Sequence, residues 1–384
     1  MLSVMIGTAS LAIWTYLIVA RGAFWCCRDR DLANPPEPPV WPSVAAIVPA
    51  RDEAQVVGKS IGSLLRQDYP GPFTVILVDD DSGDGTAPAA ESAAANIQAE
   101  GRLVVLRSHG LPEDWTGKLW AIKQGTEAAK TLPDPPAYLL LTDADIVHAA
   151  GNLRWLVAQA SASGSVLTSL MAKLRCESLA ERTHHPAFIF FFQMLYPFSW
   201  VNRAEAVTAA AAGGCMLVRT DALDRADGIE SIRGELIDDC ALARRLKRHG
   251  PIWLGLTERV HSIRPSHWSD ARRMISRSAY AQLRYSPLLL LGTIAAMAIT
   301  YLAPPLLVLG ASGPARLLGF LGWGLMALAF QPSLRFYRLS PLWGVALPFI
   351  ALLFMLYTLD SAYQYVRGRG GNWKGRAQAA APVR

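Results

Sequence analysis

Four long, strongly apolar stretches of this chain carry no charged side chain: residues 2–20, 287–315, 317–334 and 339–359. An apolar helix of about 20 residues crosses the hydrocarbon core of a bilayer, because it satisfies its backbone polar groups internally. The chain is therefore expected to hold membrane segments at both ends, with one long region, residues 43–285, between them. Arg21 closes the first run, and Arg28 and Arg30 follow. A cleaved leader carries its positive charge before the apolar stretch, so residues 1–21 read as a retained anchor whose C-terminal end faces the cytoplasm. Residues 22–42 form a linker ending in the Pro-rich NPPEPPVWP, which cannot continue that helix. Residues 286–360 are expected to supply two or three spans, with Pro304-Pro305 breaking the first run into a span and a bent or re-entrant piece. The basic tail, 361–384, carries Arg367, Arg369, Lys374, Arg376 and Arg384 and prefers the cytoplasm. Three full crossings would deny it that side, so one run is expected not to cross fully.

Charge supports this division. Only 18% of residues are charged, against about 25% in an ordinary soluble domain. The net charge of +6 would suggest an anionic partner if it were spread evenly, but residues 287–384 alone hold +7 and the remainder −1. No basic nucleic-acid-binding domain is indicated. Five cysteines without a CxxC spacing argue against both a disulfide framework and a zinc site. Within the middle region, residues 186–203 open with PAFIFFFQMLYPFSWV, too short to span comfortably. They read either as a buried core helix or as a segment lying at the membrane interface.

The rest of the middle region alternates short apolar runs with helical patterns. Residues 44–48, 74–78, 103–106 and 138–141 read as strands, with helices after the first and before the last. This alternation predicts an α/β fold with a mostly parallel sheet, whose ligands bind beyond the carboxyl ends of the strands. Those positions are acidic: Arg51-Asp52-Glu53 after the first strand, Asp79-Asp80-Asp81 and Asp84 after the second, Asp143-Ala144-Asp145 after the last. Carboxylates crowded on one edge repel unless something cationic fills the space. A divalent ion carrying a phosphorylated substrate suits them, since Mg2+ typically takes one or two protein carboxylates and completes its shell with phosphate oxygens and water. Neither GxxxxGK[ST] nor GxGxxG is present, which removes the P-loop and dinucleotide readings. For Asp79, Asp81 and Asp84, turn chemistry is the alternative to binding. Lys118, at the start of a helix where a cation opposes the dipole, is either a phosphate contact or solvated. Gly213-Gly214 either lets a ligand approach closely or makes a plain turn. Asp238 and Asp239 stand at a helix start, where acids also serve as caps. His261 and His267 flank Arg264 in a basic loop read as solvated.

Taken in order, Pro49-Ala50-Arg51-Asp52-Glu53, Val78-Asp79-Asp80-Asp81-Ser82, Trp115-Thr116-Gly117-Lys118, Asp143-Ala144-Asp145, Gly213-Gly214-Cys215-Met216 and Asp238-Asp239 resemble the family 2 glycosyltransferases, with the nucleotide-sugar-binding fold called GT-A. The membrane-anchored ends look most like the hopene-associated subgroup. The resemblance implies a divalent cation, Mg2+ or Mn2+, on Asp145, with Asp143 on metal or ribose. It implies Asp80 on the base, Pro49, Arg51 and Glu53 around the nucleoside, and Asp239, beside Asp238, as catalytic base. Lys118 joins the nucleotide-sugar contacts, and Gly213, Gly214 and Cys215 form the acceptor region. The expected partners are a nucleotide-sugar donor, a UDP-sugar by this resemblance, and a membrane lipid acceptor. The family's polymerising members carry Gln-x-x-Arg-Trp where this chain has Gln282-Leu283-Arg284-Tyr285, which argues for transfer of a single sugar. A transporter is disfavoured, since the four runs contain no central charge.

Overall fold

The structure is a computed structural model describing residues 1–371; the tail residues Lys374, Arg376 and Arg384 lie outside the described residues. The chain divides into two compact units. One comprises residues 29–175 and 200–265; the other gathers residues 1–28, 176–199 and the chain from Ser266 onward.

The first unit is built on a mixed eight-stranded sheet. Its strands are β1 (Val44–Ala50), β2 (Phe73–Asp79), β3 (Leu103–Arg107), β4 (Tyr138–Leu141), β5 (Ile146–His148), β6 (Leu167–Lys173), β7 (Met216–Arg219) and β8 (Ile252–Ser262), in the order β3-β2-β1-β4-β7-β6-β8-β5. The β1–β2, β2–β3, β1–β4 and β6–β8 pairs are parallel, and the pairs β4–β7, β6–β7 and β5–β8 are antiparallel. Every residue of β1 is buried, as a strand covered on both faces requires. The helix Gly117–Lys130 lies close against it, since a Cβ added at Gly125 would stand 2.6 Å from Ile47 Cγ2.

Pro49 sits in this central strand without breaking the ladder. The Ala50 carbonyl accepts from Asp80 on the β2 side, and Ile47 accepts from Thr142 on the β4 side, so Pro49 turns its nitrogen toward β4. The last β1–β4 pair is Ile47 with Leu141, two residues earlier, and no ladder bond is lost. There β1 and β4 part company, and β1, β2 and β4 deliver their acidic ends to one edge.

Among the described residues, the second unit contains four helical stretches long and apolar enough to cross a membrane: Leu2–Ala20, Pro287–Gly310, Gly313–Phe336 and Leu347–Val366. The pair Pro304-Pro305 does not break the second of these. A π turn over Ala298–Leu302 absorbs it, and the stretch continues for 24 residues. Proline at 304 leaves the Thr300 carbonyl without its usual donor four residues on. Trp14 Nε1 of the first helix donates to that carbonyl at 2.8 Å, and the Trp14 side chain is fully buried. The helix Leu179–Leu195, signposted by a capping box of Ser178 and Glu181, belongs to this unit. Its Phe190 and Phe191 are buried in a core with Trp14, Tyr301, Phe330 and Phe354, which is the core-helix alternative for this aromatic stretch.

Candidate active site

Two loops meet first at the acidic edge. After β1, Asp52 takes a left-handed backbone, and its carboxylate accepts the Gly83 N–H at 3.1 Å; Asp84 accepts the Ala54 N–H at 2.9 Å and the Thr86 hydroxyl at 2.6 Å. Asp79 accepts the Ser82 N–H at 3.1 Å. Asp79 and Asp84 are thus engaged in turn chemistry, the alternative weighed for them above. Asp80 is instead 3% exposed, and Arg51 Nη1 donates to its carbonyl at 2.5 Å and stands 3.4 Å from its Oδ2. Among the described residues, the buried Arg51 Nε has no hydrogen-bond partner.

The second cluster is centred on Lys118. Thr116 caps its helix by accepting the Leu119 N–H, which fixes Lys118 in the first turn. Lys118 Nζ lies 2.9 Å from Asp143 Oδ1 and 3.1 Å from Asp238 Oδ2. Burial opposes its charge, but Asp143 and Asp238 outweigh burial and raise its pKa. Among the described residues, the buried Asp238 Oδ2 has no aligned hydrogen bond, so its contact with Lys118 is a charge pair. Asp239, next along, accepts the Gly213 N–H at 3.0 Å through Oδ2 and the Cys240 N–H at 2.7 Å through Oδ1. Burial, reinforced by the neighbouring charge of Asp238 and opposed by Lys118, pushes its carboxyl up to about 6. Burial likewise raises Asp143, against the pull of Lys118.

A third connection joins the far side. Arg264 pairs with Glu53 and, through Nε, with Asp145 Oδ2 at 3.1 Å; Ser262 donates to the same oxygen at 3.3 Å. Burial disfavours the guanidinium charge, but Glu53 and Asp145 raise its pKa nonetheless. Arg264 is an exposed loop residue as expected, but it is ion-paired with Glu53 and Asp145 rather than free in solvent, and His261 belongs to β8 rather than to a loop.

Of the three acceptor-region residues, only Gly213 faces this recess: a Cβ added there would stand 3.3 Å from Lys118 Nζ and 3.5 Å from Asp239 Oδ2. Gly214 instead faces Ala172 and Ile146. Cys215 is fully buried, and burial pushes its thiol up to about 12; placing it in an acceptor region is corrected to a core position.

The sequence matches the family profile described as "Glycosyltransferase like family 2" over residues 42–281, well over half the chain. The chain belongs to this glycosyltransferase family. No curated protein sequence matches it significantly. Its structure is similar to that of a mannosyltransferase from Pyrobaculum calidifontis solved in complex with GDP-Man and Mn2+, with a TM-score of 0.57 and 17% identity, covering 94% of this chain and 98% of that one. It is more distantly similar to a mannosyl-3-phosphoglycerate synthase from Rubrobacter xylanophilus, with a TM-score of 0.39 and 19% identity over 64% of this chain and 74% of that one. The glycosyltransferase has the GT-A-like α/β fold with a mostly parallel mixed sheet.

Among the described residues, no group of three or more His, Cys, Asp or Glu side chains is arranged to hold a metal. In this glycosyltransferase Asp143 and Asp145 each face a protein cation, Lys118 and Arg264. Two carboxylates suit a divalent cation that arrives with a diphosphate, because the phosphates supply the ligands the protein lacks.

Behind them lies a network the sequence reading missed. Thr142 donates to the Gly214 carbonyl at 2.7 Å, so it accepts from His148 Nε2 at 3.0 Å; His148 Nδ1 then accepts from Asn152 Nδ2 at 3.0 Å. Burial lowers the His148 pKa to about 3, and the ring stays neutral in this tautomer. The network ties the strand carrying Asp143 to the loop whose Gly213 N–H holds Asp239. Its one sequence signal is a Thr, a His and an Asn spaced 6 and 4 residues apart beside the acids, too common a pattern to select.

Proposed function

We propose that this glycosyltransferase moves a single sugar, with inversion, from a nucleotide-diphospho-sugar, a UDP-sugar on our reading, to a hydroxyl of a membrane lipid at the cytoplasmic face of the inner membrane. The observation that carries the reading is the Lys118 bridge, which gathers Asp143 at the end of β4 and the acid pair opening the helix Asp238–Leu246 into one recess. Donor-side and acceptor-side chemistry then share a single set of charges.

In this reading Asp239 takes the proton of the acceptor hydroxyl on a carboxylate oxygen, leaving the hydroxyl oxygen to attack the anomeric carbon from the side opposite the diphosphate. Its elevated pKa suits a general base working near neutral pH. Lys118 exchanges a carboxylate partner for a phosphate oxygen when the donor enters, and so compensates charge as the diphosphate departs. Asp145 and Asp143 would hold Mg2+ or Mn2+, which when bound neutralises the leaving diphosphate. Asp80 accepts the N3–H of a uracil, with Pro49, Arg51 and Glu53 around the nucleoside. Four helices of spanning length support a lipid acceptor, and the hopene-associated resemblance makes a hopanoid the first to try.

The test is purified full chain with a panel of UDP- and GDP-sugars, Mn2+ and a membrane lipid extract. Nucleoside diphosphate release should depend on one UDP-sugar, cease with a chelator, and yield a lipid heavier by one sugar. Turnover with a GDP-sugar alone overturns the donor assignment. An acid-labile product, diagnostic of a polyprenyl phosphate acceptor, overturns the hydroxyl acceptor.

A further inference from the structure

A cleft of about 380 Å3 opens in the terminal-helix unit, between the helix Trp268–Ser276 and the C-terminal end of the helix Leu347–Val366. Four guanidinium groups line it, from Arg272, Arg273, Arg277 and Arg369, against one carboxylate, Asp360. Arg272 is spent on Asp360 through two hydrogen bonds of 3.0 and 2.7 Å, and Arg273 pairs with Asp270. Arg277 and Arg369 are exposed, and among the described residues no acid lies within ion-pair distance of either. Cations gathered round one cavity repel one another unless an anion compensates them.

Depth along the helix says which anion. Asp360 is the first charged residue after the uncharged run 339–359, so the cleft begins where the apolar surface of this helix ends. In a bilayer that level is occupied by lipid phosphates. Guanidinium groups offer forked pairs of N–H donors that match phosphate oxygens, and the Ser269 hydroxyl lies on the same wall. We propose that this cleft binds the phosphate headgroup of an anionic membrane lipid. None of the cleft residues is a sugar-transfer residue, and the proposal rests only on the reading of Leu347–Val366 as a membrane helix.

The experiment uses purified full chain in nonionic detergent, titrated at constant ionic strength with dihexanoyl phosphatidylglycerol, dihexanoyl phosphatidylcholine or sodium phosphate, with Tm read from tryptophan fluorescence. Phosphatidylglycerol should raise Tm saturably and the other two should not. The double variant Arg277→Gln/Arg369→Gln should start from the same Tm, since neither side chain has an ion pair to lose, and should bind about tenfold more weakly. Arg316→Gln, outside the cleft, should respond as the parent does. An undiminished response in the double variant overturns the site, and an equal response to sodium phosphate overturns the lipid as its source. Insertion into phosphatidylcholine nanodiscs is measured separately: failure there removes the membrane reading, whereas intact insertion without a phosphatidylglycerol response removes only the cleft.

Discussion

Asp239 accepts the Gly213 backbone N–H at 3.0 Å, so the residue assigned as base is aimed by a loop rather than by another side chain. That loop is fastened in turn through Gly214 to Thr142, immediately before Asp143. Movement of the donor-side strand is therefore transmitted to the base through one threonine hydroxyl and one peptide unit.

Replacing Asp239 with Asn keeps an oxygen for Gly213 but removes the proton acceptor. The expected outcome is a fall in kcat of about 10²- to 10⁴-fold with the KM for donor little changed, read by nucleoside diphosphate release. Undiminished kcat would remove Asp239 from the base role.

Gly213→Ala places a methyl group 3.3 Å from Lys118 Nζ and 3.5 Å from Asp239 Oδ2. Lys118 is flexible enough to yield, so the fold should survive with Tm nearly unchanged. Turnover should fall about tenfold or more, because small misplacements of reacting groups are costly. A variant as active as the parent would show that this recess has slack.

The pH dependence follows from the raised carboxyl of Asp239. The base works only when deprotonated, so kcat/KM should drop as pH falls through about 6. Burial is the main cause and the charge of Asp238 the next, so Asp238→Asn should move this acid limb to lower pH. The stability contribution has the opposite sense. Between the ordinary aspartate value of 3.8 and about 6 the folded chain binds more protons than the unfolded one, and this group's contribution to stability falls as pH rises through that window.

Trp14→Phe retains the aromatic packing and removes the donor to the Thr300 carbonyl. Leaving that buried carbonyl unsatisfied should cost about 1–3 kcal/mol, seen as a lower Tm in detergent. An unchanged Tm would mean that another donor reaches Thr300.

A tag at residue 384 should be accessible from the cytoplasm only, as the basic tail demands. With a cytoplasmic middle region this requires an even number of crossings after residue 286, although all three C-terminal helices are long enough to cross. Labelling from outside alone would establish an odd number.

The β1–β4 half of the sheet was legible because these strands are continuous apolar runs bounded by acids and turns. The half from β5 to β8 was not. β5 has three residues directly after Asp145, β7 follows an alanine run, and β8 carries Glu258 and Arg259 within its apolar pattern. Those strands exist because their partners do, and single-strand patterning does not register that. The same limit applies to the site. Lys118, Asp143 and Asp238 stood out as charges at element ends, whereas Arg264 sits in a polar stretch beside Pro265 and acquires meaning only when β8 carries it to Glu53, 211 residues earlier in the chain. The leaving of residues 176–199 for the terminal-helix unit was equally invisible, since a helix buried among apolar helices has the same composition as one buried beneath a sheet.

The bond from Trp14 to Thr300 also bears on how the protein is assembled. Its acceptor is a carbonyl that the proline pair orphans inside an apolar helix, and its donor is synthesised 286 residues earlier. The first helix is thus a missing part of a later one, and removing residues 1–20 to obtain a shorter protein should leave an apolar helix with a bare polar group. A truncation meant to shed a mere tether would then damage the buried core that these helices share.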